Sequence, residues 1–187
     1  MARSNHSSAR KQSLRIAVCG MLVALSVVLM LTGGVFPLMT YVSPLLSSVL
    51  LLPLLLDFGK KSAWTAFLAA ALIVLLLGAD KEAAFFYLFL GYYPLLKPEI
   101  DRIKNRAVRF AVKLSLFSVA LCAMYAILMF LLHLEAVTQD FAEMGTLLTA
   151  FFLVMLDICL LLYDRMLVAL AFLYLKKVRP HFRFLNH

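Results

Sequence analysis

Asp157 is the residue most at odds with its neighbours. Met155, Leu156, Ile158 and Cys159 surround it inside a long apolar run. A carboxylate in hydrocarbon is costly and usually faces a bundle interior or a water-filled cavity. It either contacts a ligand or, protonated or hydrogen-bonded to Ser or Thr of a neighbouring helix, merely orders the bundle. Asp164 follows about two helical turns later, so both carboxylates project from one helix face. Asp164-Arg165 closes the apolar run and suits an interfacial anchor or a docking contact. A second group, Asp80-Lys81-Glu82, precedes Phe85, Phe86, Tyr87 and Phe89. A few polar groups over an aromatic wall are what a small-molecule site requires. Asp80, Glu82, Tyr87 and Asp157 are therefore the candidate substrate-binding residues. The competing reading of Asp80 and Glu82 is a solvated turn whose charge complements a helix N-terminus. His133, Thr138, Gln139 and Asp140 lie in another polar break and could cap the same pocket.

Other chemistry is missing. The chain has no P-loop, HExxH, GxSxG or His-rich cluster, which disfavours catalysis and makes a non-enzyme the expectation. Cys19, Cys122 and Cys159 sit singly in apolar runs, without metal-ligand spacing, so neither a metal nor another cofactor is expected. A net charge of +8 could suggest nucleic acid, but the placement of the basic residues points to membrane topology and anionic headgroups instead.

The elements that carry these residues are membrane spans. Hydrophobic residues make up 64% of the 187 positions, well above a soluble domain. At roughly 20 apolar residues per span, that allows about six helices and no separate soluble domain. Alternate polar breaks differ sharply in charge: one set holds every Lys and Arg except Lys81. Basic segments are retained in the cytoplasm. The expected protein is a multi-pass helical bundle in a bacterial plasma membrane, with both termini cytoplasmic. Its parts are a polar basic segment (1–13), one six-helix domain (14–178) and a basic tail (179–187).

The spans are expected over 14–31, 38–56, 62–77, 83–96, 108–132 and 144–178. Pro44 and Pro53 should kink the second. Acidic residues 80–82 should form the first turn of the fourth, and Pro94 and Pro98 should end it. The sixth is longer than a bilayer needs, so its last turns must tilt or project. Polar residues 133–143 read as a loop.

Ala17, Gly20 and Ala24 put small side chains on one face of the first span, which permits close helix approach. That face, the basic residues before it, the chain length and the six-span N-in/C-in layout resemble the substrate-binding S component of energy-coupling factor (ECF) vitamin transporters. Those proteins carry an Ala-x-x-x-Ala motif on the first helix, and Gly20 and Ala24 stand at the matching positions. The resemblance implies an S-component-like bundle that recognises a small, vitamin-like solute from outside. A transmembrane coupling subunit and ATPases would be partners, with docking through Ala17, Gly20 and Ala24 and through Asp164 and Arg165. A different reading stays open. Shape-determining scaffold proteins of the MreD type have a similar size and layout, and there the basic stretch 97–113 would dock other proteins.

Overall fold

The computed structural model describes residues 2–32, 39–77, 80–131 and 135–178, with side chains over 12–32, 39–77, 80–130 and 147–177. Every element in them is helical. Helix α1 (Ala2–Leu31) takes in the polar segment expected to lie apart from the first span. Helix α2 (Met39–Val49) resumes as Leu51–Pro53 and ends in a π turn, Leu54–Phe58. The others are α3 (Lys60–Leu77), α4 (Lys81–Leu90), α5 (Tyr93–Ile100), α6 (Arg106–Ala126) and α7 (Glu135–Leu173).

Five stretches are long and apolar enough to cross a membrane: Gln12–Leu31, Met39–Phe58, Lys60–Leu77, Arg106–Phe130 and Leu147–Lys177. The expected fourth span is not one helix. Helix α4 has 10 residues, about 15 Å of rise and half of a ~30 Å hydrocarbon core. The cause is local. A proline ring collides with the carbonyl four residues before it. Pro94 therefore forbids α4 beyond Leu90 but fits the first turn of α5. The same rule breaks α2 at Val49, four residues before Pro53, whereas Pro44, also expected to kink this span, lies inside the unbroken α2. Gly91 fills the joint between α4 and α5. A Cβ there would lie 2.5 Å from the Tyr87 carbonyl oxygen and 2.7 Å from its ring. Gly59 ends the Met39–Phe58 stretch at φ 80, a conformation side chains resist.

The expected loop over 133–143 is also corrected, because α7 is helical from Glu135. His133 and the 179–187 tail lie outside the described residues, as do the side chains of Thr138, Gln139 and Asp140.

Two apolar clusters hold the bundle. On α3, Ala63, Phe67, Ala70 and Val74 recur at helical spacing and pack with Val27 and Met30 of α1 and with Tyr87 of α4. Alanine on that stripe lets α1 come close to α3. The second cluster joins Phe86 and Leu90 of α4, Tyr93 of α5, Phe117, Leu121 and Met124 of α6, and Leu160 and Tyr163 of α7. Helix α4 thus contributes to both. The antiparallel path gathers Lys60, Lys97, Arg106 and Arg165 at one end, the basic end. Thr40, Asp80 and Glu82 meet at the opposite end.

Candidate functional site

At the opposite end, α4 begins with Asp80. One Asp80 carboxylate oxygen (Oδ1) accepts the Ala83 amide at 3.0 Å and caps the helix. The other (Oδ2) accepts the Thr40 hydroxyl at 2.8 Å, which ties α4 to α2. Glu82 stands in the first turn, as the acidic cluster suggested. Its Oε1 accepts the hydroxyls of Tyr41 and Tyr125, each at 2.8 Å. The two phenol oxygens are 3.3 Å apart, so α2, α4 and α6 converge on one carboxylate. The Tyr41 ring meets Phe86 and Phe152 edge-on, at 5.5 and 5.9 Å. Lys81 turns away and donates to the Leu75 carbonyl at 3.0 Å. A carboxylate framed by phenols and aromatic edges can accept hydrogen bonds from an amine or hydroxyl and stack an apolar ring.

Tyr87 and Asp157 do not share this cluster. Tyr87 is fully buried in the other apolar core, 5.4 Å from the Phe67 ring, and its hydroxyl has no partner among the described residues. Asp157 accepts the Ser118 hydroxyl at 2.8 Å through Oδ2, while its Oδ1 is buried without a described partner. Asp157 therefore links α7 to α6, the bundle-ordering role weighed from the sequence.

Asp164 also faces α6, seven residues further along α7. It is buried and cannot act as an exposed docking contact. Its Oδ1 accepts the Tyr93 hydroxyl at 2.5 Å and the Lys97 ammonium; its Oδ2 accepts Lys113 at 2.8 Å. Asp101 closes the ring, 2.7 Å from Lys113 and 3.3 Å from Lys97. Two ammonium groups and two carboxylates neutralise one another while joining α5, α6 and α7. Breaking a buried pair by removing one member costs about 3–5 kcal/mol. Arg165, next in sequence, is exposed. Nearby, the exposed Lys60 donates to Glu99 and, with a smaller pull from Arg102, holds that carboxyl below the usual range.

Ala17, Gly20 and Ala24 are all exposed on α1. A Cβ added at Gly20 would meet nothing within 4 Å, so this face is not used inside the bundle. It borders a groove of about 900 Å³ whose far wall includes Thr65, Ala66 and Ala69 of α3.

Comparison with protein families, curated proteins and solved structures gives no match. Thr40, Tyr41 and Tyr125 escaped sequence reading because each lies inside an expected membrane span, where a lone hydroxyl gives no local sign of its partner. Lys97, Asp101 and Lys113 fall in the basic stretch 97–113, which was read only as a surface that could dock other proteins. Asp164, the shared partner of Lys97 and Lys113, is 51 or more residues from each, and no local pattern signals that pairing.

Proposed function

We propose that this chain is a membrane-embedded recognition subunit that binds a small, vitamin-like solute at its outer end, as in ECF-type uptake. The convergence of Tyr41, Glu82 and Tyr125 from three helices carries the reading. Asp80 fixes the start of α4 and so holds Glu82 in place. The basic end then lies in the cytoplasm, in a bacterial plasma membrane, a placement that the charge asymmetry supports. The exposed Ala17, Gly20 and Ala24 face on α1 suits close approach by a coupling subunit. Partner ATPases supply the energy, and this chain supplies recognition without chemistry of its own.

Affinity purification in mild detergent from the native host, with mass spectrometry of accompanying proteins, tests the reading. A coupling membrane subunit with paired ATPases is the expected result. Recovery of cell-envelope or cytoskeletal proteins without ATPases would replace it with the scaffold role.

A further inference from the structure

A groove of about 590 Å³ opens between α6 and α7 at the basic end, away from the proposed solute site. Five of its lining side chains are cationic: Lys97, Arg106, Arg109, Lys113 and Arg165. Two are carboxylates, Asp101 and Asp164, and these are the pair already bridged by both lysines. Five charges against two leave three, and the three belong to arginines. Arg109 lends one N–H to the Asp101 backbone carbonyl at 3.5 Å. Arg106 and Arg165 are exposed and pair with no carboxylate among the described residues.

The rest of the lining is apolar and outward-facing. Phe110 is 54% exposed, Leu162 65% and Val168 53%. A soluble anion would use the guanidinium groups but leave these side chains uncovered. A phospholipid uses both, with its phosphate on the arginines and its acyl chains along the apolar wall. Guanidinium forks match phosphate oxygens in geometry as well as charge.

We infer that this groove is a binding site for the headgroup of an anionic phospholipid of the adjacent leaflet. The inference rests on the chain being a membrane bundle, not on the identity of any transported solute. Occupancy would hold α6 and α7 together beside the buried charge ring.

Native mass spectrometry of the full chain, titrated in detergent with phosphatidylglycerol or phosphatidylcholine, provides the test. The double variant Arg106→Gln/Arg165→Gln is compared with Arg102→Gln/Lys104→Gln, which removes equal charge outside the groove. Roughly fivefold weaker phosphatidylglycerol binding is expected per groove arginine removed, about 25-fold for the pair. The outer pair should change it less than twofold, and phosphatidylcholine binding should not respond to either. If the groove double variant does not fold, Arg106→Gln and Arg165→Gln singly should each give the fivefold loss. Equal weakening by both doubles, or none from the groove variants, overturns the site. Displacement of the lipid by excess glycerol 3-phosphate would overturn it in favour of a soluble anion.

Discussion

The two ends of the bundle use the same residue types to different effect. At the basic end, Asp164 and Asp101 sit between Lys97 and Lys113, and the carboxylate charge is spent within the fold. At the other end, Glu82 takes two tyrosine hydroxyls and Asp80 takes a threonine hydroxyl and an amide. These hydroxyl and amide donors orient the two carboxylates and tie the start of α4 to α2 and α6. Ion pairs hold the basic end, and hydroxyl donors frame the carboxylates at the end proposed to bind a solute.

The largest effect should come from the basic end. Asp164→Ala leaves two buried ammonium groups facing a single carboxylate, and stability should fall by about 3–5 kcal/mol. Thermal unfolding in mild detergent measures it. A loss below about 1 kcal/mol would mean that the ring does not hold α5, α6 and α7 together.

The two ends are joined through α4 and α5, and Gly91 tests that joint. Gly91→Ala drives a methyl group into the Tyr87 carbonyl and ring, at an expected cost of about 1–3 kcal/mol. Because α4 also carries Glu82, ligand retention should fall along with the unfolding temperature. A variant as stable as wild type would show that the joint moves freely.

At the Glu82 end the two quantities should separate. Glu82→Gln keeps a carbonyl acceptor for the tyrosines and loses the charge. Stability should drop by only about 1 kcal/mol, while ligand retention falls at least tenfold. Matching losses in both would make Glu82 structural, like Asp164.

The smallest effect is expected at Tyr87→Phe. Its hydroxyl is buried without a described partner, so its removal should be neutral or slightly stabilising and leave ligand retention unchanged. Reduced ligand retention with unchanged stability would return Tyr87 to the binding site.

Much of the helical layout was legible because apolar runs and prolines are local signals. Pro53 breaks the second apolar stretch, as expected of it, while Pro44 does not. Pro94 and Pro98 were read as terminators, yet Pro94 opens α5, since proline suits a first helical turn, and Pro98 lies inside that helix. Residues 133–143 looked like a loop because polar composition was read as irregular chain, but most of that stretch continues the helix of α7. For the candidate site, Asp80 and Glu82 were visible as acidic residues opening a helix. Tyr41 and Tyr125 were not, because nothing local distinguishes a tyrosine that reaches a distant carboxylate from one that packs in lipid. Asp164 was visible as an outlier, but its burial depends on lysines that only the tertiary packing brings together.

The most direct test is native mass spectrometry of wild type and Glu82→Gln purified side by side from host membranes. The wild type should carry a bound small organic molecule that Glu82→Gln lacks while unfolding at nearly the same temperature. An empty wild type, both alone and with coupling subunits, or an equally loaded Glu82→Gln, would contradict a recognition site at that end.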